Sequence, residues 1–132
     1  MTEILTLIIL VGSAFQVKND TVSINMVNFS GYAESPYFKG NILPGAVDTQ
    51  TYLPGGKSRL SARYMLEGVD GNGDSCRIYV DNEVTDDVPK GYTKPTIITD
   101  SRQIASLAEG GLVGKMDMVD GKLNIRIFAK KE

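Results

Sequence analysis

Short apolar and β-branched runs recur along the whole chain, with turn-forming residues between them. This pattern is typical of strands that pair in an antiparallel meander. It predicts nine strands, near residues 3–11, 21–29, 36–43, 48–53, 59–68, 75–82, 93–99, 111–119 and 122–129. Asp120-Gly121 predicts a two-residue hairpin between the last two strands, because glycine accepts the positive φ of a type I′ turn.

One segment, residues 99–111, has the pattern of a short helix near the C-terminal third of the chain. We predict that Asp100 caps its first turn and that Gln103 stands three residues later, as in a capping box. Gly110 is expected to end the helix in the left-handed conformation, which glycine adopts without a steric penalty. The fold class is therefore all-β with one short helix.

Many short strands must close or stack to hide their edges. Sequential strands joined by tight turns favour a single antiparallel up-and-down β-barrel, of the calycin or lipocalin type, over a two-layer sandwich. A barrel of about eight or nine strands can leave room for one small ligand. With 132 residues, the chain is expected to form one domain, 1–132.

Composition excludes several classes of function. The 14 basic and 16 acidic residues are spread without blocks, so we predict neither a nucleic-acid partner nor a membrane-surface partner. The chain has no histidine, which excludes Ser-His-Asp catalysis and His-ligated metal sites, and we expect no metal and no cofactor. Its one cysteine, Cys76, lies in a predicted strand and is expected to be buried and inert.

The first apolar run, residues 4–11, is preceded by the acidic Glu3 and by no basic residue, unlike a signal peptide. It is also far shorter than the roughly 20 residues of a membrane-spanning helix. We therefore predict a buried first strand and a cytoplasmic location. Two apparent motifs, the Gly-Lys-Ser at 56–58 and Asp-Gly-Asn-Gly-Asp at 70–74, lack the helices that phosphate-binding and calcium loops require, and predict turns.

Residues 41–50, NILPGAVDTQ, change abruptly from apolar to polar across a Pro-Gly step. We predict that Pro44-Gly45 forms a corner that ends an apolar strand and re-aims the chain. Such a corner would place Asp48 and Gln50 at the mouth of the barrel, beside the strand that carries Arg63.

The sequences NILPGAVDTQ, LSARYMLEG (residues 60–68) and CRIYVDN (residues 76–82) together resemble the uncharacterised protein family 0311, also called domain of unknown function 3237. The resemblance implies a small antiparallel β-barrel and assigns no general activity. Two positions depart from the family pattern, which commonly has Trp where this chain has Thr49 and Arg-Gly where it has Glu83-Val84. A ligand of a relative would therefore meet a differently shaped wall here.

Our hypothesis is a polar end on an otherwise apolar pocket, formed by Asp48, Gln50, Arg63, Tyr79 and Asn82. Arg63 would receive a carboxylate or enolate oxygen, Tyr79 would donate a hydrogen bond or act as a weak acid, and Asp48 would orient Arg63 or remove a proton. In the structural alternative, Asp48 caps the turn and pairs with Arg63, and nothing binds.

Three functions follow from these alternatives, and the sequence does not decide whether the protein is an enzyme. The first is a module that binds a small apolar or acidic ligand. The second is a cofactor-free isomerase or lyase acting on an enolisable carbonyl compound. The third is a subunit without a ligand that uses a sheet face or an edge strand to build a homo-oligomer.

Overall fold

A computed structural model describes residues 1–131. These residues form nine antiparallel strands, one α-helix and one turn of 3₁₀ helix at Pro54–Gly56. The strands are β1 (Thr2–Lys18), β2 (Ser23–Ser35), β3 (Phe38–Ile42), β4 (Val47–Tyr52), β5 (Ser58–Asp70), β6 (Ser75–Val84), β7 (Tyr92–Thr99), β8 (Leu112–Val119) and β9 (Lys122–Ala129), and helix α1 (Arg102–Ala108) joins β7 to β8. Among the described residues, no helix has the length and apolar character needed to span a membrane.

The strands close into a ring. Each strand pairs with the next along the chain, except that β3 and β4 both lie between β2 and β5, and β9 returns to pair with β1. The predicted antiparallel up-and-down β-barrel with one short helix is confirmed. Its assignment to the calycin or lipocalin type stays a prediction.

The Pro44-Gly45 step forms a large bulge and not a corner. Ile42 pairs with Leu66 and Val47 pairs with Arg63, so the four residues 43–46 lie opposite two residues of β5. The chain then resumes in its former direction, and β3 and β4 together make one interrupted strand. The bulge therefore has two residues more than the opposing stretch of β5. Because this is an even number, the same set of alternate positions points inward in β3 and in β4.

The two ends of the barrel differ in packing. At the end where β5 finishes and β6 starts, the interior is filled by side chains that are 0–1% exposed and close onto helix α1: Phe38, Leu66, Ile78, Ile104 and Ile127. Ile104 is the helix residue of this group, so α1 plugs this end, which we call the closed end. The opposite end, where β4 turns into β5 and β6 runs towards β7, is the open end.

A buried hydrogen-bond network fastens α1 to the barrel. The hydroxyl of Ser101 donates to Oδ2 of Asp70 at 2.7 Å and accepts from the backbone N–H of Ile104 at 3.2 Å. The other carboxylate oxygen of Asp70 accepts from the N–H groups of Asn72 and Asp74. The hydrogen bond from Ser101, together with those two amides, lowers the pKa of Asp70 despite the opposing effect of burial.

The helix boundaries correct the prediction by one residue at each end. Ser101, and not Asp100, is the N-cap, because Oδ1 of Asp100 instead accepts the backbone N–H of Arg77 at 2.9 Å. The predicted capping box does not form, since no described group bonds to the buried Oε1 of Gln103. The positive φ after the helix belongs to Gly111, at 97°, and not to Gly110.

The first hairpin is longer than the sequence pattern predicts. β1 continues to Lys18 through a bulge at residues 12–13, where the side-chain amide of Asn28 donates to the backbone and hydroxyl oxygens of Ser13 at 3.2 Å. The predicted Asp120-Gly121 hairpin is confirmed, with φ of 51° and 76° at these two residues. The two apparent motifs at 56–58 and 70–74 lie at the turns on either side of β5, with Ser58 as its first residue and Asp70 as its last, as predicted.

The network at Asp70 gives a stability prediction. Ser101→Ala removes both the helix cap and one donor to a buried carboxylate, so we expect the free energy of unfolding to fall by about 1–2 kcal/mol. Ser106→Ala, on the exposed face of the same helix, is the matched control and should change it by less than about 0.5 kcal/mol. Urea denaturation measures both, and equal effects of the two substitutions would contradict this role of Ser101.

Candidate functional site

The open end of the barrel encloses a cavity of about 340 Å³. This volume lies within the range of small-molecule sites, roughly 300–1,000 Å³. Most of its lining is apolar and comes from six strands: Ile9, Val11, Val27, Phe29, Leu60, Ala62, Val84, Met116, Leu123 and Ile125. The polar lining residues are fewer: Asn25, Asp48, Gln50, Tyr64, Asn82 and Thr93.

Three of the polar lining residues form a chain of hydrogen bonds along the cavity wall. The side-chain amide of Asn25 donates to Oε1 of Gln50 at 3.2 Å, and Nε2 of Gln50 donates to Oδ2 of Asp48 at 3.0 Å. Within residues 1–131, no hydrogen bond reaches the second oxygen of Asp48. These hydrogen bonds therefore hold the carboxylate of Asp48 in place and leave one of its oxygens free to accept another.

Three other polar atoms of the lining are buried and have no partner among the described residues. They are the hydroxyl of Tyr64, Oδ1 of Asn82 and Oγ1 of Thr93. A buried polar atom without a hydrogen bond costs roughly 1–3 kcal/mol in proteins, so such atoms are rare unless something else occupies the site. Their shared position on one cavity wall indicates a place for a bound polar group or for water.

Tyr64 has the largest side chain of these three residues. It is 5% exposed, and its ring packs edge-on against Phe29 with the centroids 5.4 Å apart. Burial raises the pKa of Tyr64, because the phenolate would lose its hydration. The hydroxyl therefore stays neutral and offers the cavity one donor and one acceptor.

The structure divides the five residues predicted to form the site. Asp48, Gln50 and Asn82 line the cavity together, as the hypothesis requires. Arg63 and Tyr79 lie on the outer face, where both border a shallow groove beside the Pro44-Gly45 bulge.

The predicted contact between Asp48 and Arg63 is wrong. The backbone partner of Asp48 on β5 is Ala62, so Arg63, one position further along, points to the opposite face of the sheet. Arg63 is exposed and forms no ion pair among residues 1–131. Glu67 and Arg77, which share its outer face, pair with each other at 2.7 Å in solvent.

The remaining candidates for chemistry do not form a site. Cys76 is 5% exposed, and burial together with the nearby carboxylates of Asp70 and Asp100 raises the pKa of its thiol. This environment suppresses the reactive thiolate. The part of the chain that the structure describes contains no group of three or more Cys, Asp or Glu side chains placed to hold a metal ion.

A family model described as "Protein of unknown function (DUF3237)" matches residues 2–92. The chain belongs to this family. The DUF3237 match includes β1 to β6 and therefore every polar lining residue except Thr93, the second residue of β7, which directly follows the matched range. The family resemblance seen in the sequence is thus confirmed, and the polar wall of the cavity is built mainly from the matched residues.

Two further comparisons find similar proteins in Clostridium acetobutylicum. The chain is 40% identical over 63 residues to a UPF0311 protein of Clostridium acetobutylicum, and this segment spans 48% of the chain but 37% of that relative. A crystal structure of a protein with unknown function from Clostridium acetobutylicum superposes with a TM-score of 0.75 at 22% identity, over 95% of this chain and 92% of the other.

A second similar structure is described as an enzyme from Penicillium herquei. It superposes with a TM-score of 0.70 at 17% identity and covers 95% of this chain and 90% of its own. At such identities the likeness to either structure shows a common fold.

The sequence contained a signal for Tyr64 that the charge pattern obscured. Tyr64 alternates with the polar residues of β5 and falls in register with Leu60, Ala62 and Leu66, which is the apolar and therefore inward face of the strand. Asn82 follows the same rule in β6, whereas Tyr79 shares the register of Arg77 and points outward. Asn25 carried no comparable signal, because its apolar neighbours Ile24 and Met26 lie on the opposite face of β2. Thr93 carried none either, because polar residues occur on both faces at the start of β7.

The unpartnered hydroxyl of Tyr64 gives a second stability prediction. In ligand-free protein, Tyr64→Phe removes a buried polar atom at almost constant shape, so the free energy of unfolding should rise by about 1 kcal/mol. Tyr79→Phe, on the outer face, is the matched control and should leave it within about 0.5 kcal/mol. A loss of stability in Tyr64→Phe, measured by urea denaturation, would show that the hydroxyl is already satisfied in the free protein.

Proposed function

We propose that the protein binds a small, mainly apolar molecule in the open-end cavity and recognises it through a hydroxyl, phenol or amine group. The observation that carries the proposal is the meeting of a fixed carboxylate with unpartnered polar atoms inside an apolar cavity of about 340 Å³. Apolar walls supply affinity, and a few fixed polar groups supply orientation.

The charge of the wall favours one class of ligand. Asp48 is the charged residue of the lining, and no Lys or Arg is among the lining residues of the described chain. An acidic ligand, as expected when Arg63 was placed in the pocket, would meet Asp48 without a counter-charge. A neutral donor or an amine instead forms a charge-assisted hydrogen bond with the free oxygen of Asp48.

Three naphthalene compounds of similar size test this class. We expect 2-naphthol and 2-naphthylamine to bind, and 2-naphthoate to bind at least tenfold more weakly, since like charges repel in a low-dielectric site. Asp48→Asn should weaken binding of 2-naphthol by about tenfold or more, because charge-assisted hydrogen bonds contribute roughly 1.5–3 kcal/mol. Isothermal titration calorimetry measures the affinities, and native mass spectrometry of the purified protein reports any ligand that it carries.

Arg63→Ala is the control in this experiment, since Arg63 lies on the outer face of the same strand. It should leave the affinity for 2-naphthol unchanged. If 2-naphthoate binds best, and Arg63→Ala rather than Asp48→Asn removes that binding, then the site lies on the outer face and the proposal is wrong.

A second candidate function is proton transfer on an enolisable carbonyl compound. It is favoured by the free oxygen of Asp48, which Gln50 holds in place, and by the neutral hydroxyl of Tyr64 in the same cavity. A carboxylate can remove the proton next to a carbonyl group, while a neutral phenol donates to the developing enolate oxygen. The fold accommodates catalysis, since one similar structure is described as an enzyme.

Deuterium exchange tests this candidate. In D₂O, the wild-type protein should accelerate exchange of the acidic C–H positions of 2-tetralone, followed by NMR, and Asp48→Asn should reduce the rate by about 10² or more. Arg63→Ala is again the control and should exchange like wild type. If the protein binds 2-tetralone but does not accelerate its deuterium exchange, this catalytic role is excluded for that class of compound and binding alone is supported.

A further inference from the structure

The second half of β1 is an unpaired sheet edge. β9 pairs with β1 from Thr2 to Ile9, whereas residues 10–18 have β2 on one side and no described strand on the other. All nine of these residues are exposed. Together with the first half of β2 they form an arm, residues 10–30, at the open end.

This edge has one of the usual protections against pairing, the bulge at residues 12–13, and lacks the others. Sheet edges are commonly blocked by bulges, by proline, by several charges or by very short strands. Residues 10–18 contain no proline and one charged side chain, Lys18, while Phe15 and Val17 are 70% and 66% exposed. The backbone N–H and C=O groups along this edge are therefore available to another extended strand.

We propose that the partner is a second copy of this chain, paired antiparallel through the same segment around a two-fold axis near Ala14. A two-fold axis makes the segment self-complementary, because each copy then supplies the same donors, acceptors and apolar side chains. Because the bulge at residues 12–13 adds one residue to the strand, Val17 of one copy lies across from Leu10 of the other on the outer face, so both apolar side chains leave water.

Charge complementarity supports this occupant. Since Ile9 pairs with Leu123, the β8–β9 turn at residues 120–122 lies where β1 loses its partner. In the proposed dimer, β1 of the second copy ends next to the β8–β9 turn of the first. Lys18 and Asp20 of one copy then lie beside Asp120 and Lys122 of the other. Within the described chain none of these four residues forms an ion pair, and the two-fold axis repeats the complementary contact at both ends of the joint.

The pairing also reaches the cavity. Val11 belongs both to the free edge and to the cavity lining, and it is 66% exposed in the single chain. A second copy would cover this residue and narrow the entrance from the side of the arm. The dimer itself does not depend on what the cavity binds.

Sedimentation velocity from about 1 to 100 μM tests the pairing through its concentration dependence. Wild type should approach twice the 14.3 kDa mass of the chain as the concentration rises. The double variant Phe15→Lys, Val17→Lys places like charges along the joint and should raise the dissociation constant at least tenfold, which corresponds to ~1.4 kcal/mol. Ile98→Lys is the matched control, because Ile98 is equally exposed, at 66%, on a strand far from the arm, and it should dimerise like wild type.

Hydrogen exchange in the wild-type protein supplies a measurement that needs no variant. The amides of residues 10–18 that face the free edge should exchange slowly at high protein concentration and rapidly at low concentration. A wild-type protein that stays monomeric up to about 100 μM would overturn the proposal. A dimer that survives the double variant, or one that Ile98→Lys dissociates, would place the interface on another face and overturn it equally.

Discussion

The alternation of side chains in a closed sheet is the constraint on which the rest of this structure depends. Each strand of the barrel has one face towards the interior and one towards solvent, so a shift of one position moves a residue from one environment to the other. Asp48 and Arg63 lie on neighbouring strands and differ by one such position. One of them therefore lines the cavity, and the other is a surface charge.

The bulge between β3 and β4 preserves this alternation. Its two additional residues keep Ile42 and Asp48 on the inward side, although the backbone ladder is interrupted between them. An insertion of one residue would place Asp48 in solvent and Val47 inside. The Leu-Pro-Gly stretch thus contributes to the site through its length, while Gly45, with φ of 105°, supplies the conformation that the bulge needs.

The packing of the barrel changes along its axis. At the closed end, large apolar side chains fill the interior, and the network from Asp70 through Ser101 to Ile104 fastens the helix over it. At the open end, the same alternating pattern places polar residues such as Asp48 and Asn82 among apolar ones, and a cavity remains. A fold with one well-packed end can tolerate unpartnered polar groups at the other, because their cost is offset by the packed core.

Most of the fold could be predicted from local patterns, because strands and hairpins are encoded within a few residues, as Asp120-Gly121 illustrates. The helix cap was misplaced by one residue, since Asp100 and Ser101 are both suitable caps and a distant amide of β6 decides between them. The site was harder to predict. Asp48, Gln50 and Asn82 line the cavity. Arg63 was placed in the pocket because of its charge, although its position in the alternation of β5 puts it on the outer face, whereas Tyr64 shares the inward register of the apolar residues.

The most direct test of the central claim is a crystal structure of the protein grown with 2-naphthol. The account predicts ordered density in the open-end cavity, with the ligand hydroxyl within hydrogen-bond distance of Asp48 and its rings against the apolar wall. An interior filled by the protein's own side chains, or a ligand bound beside Arg63 on the outer face, would contradict it.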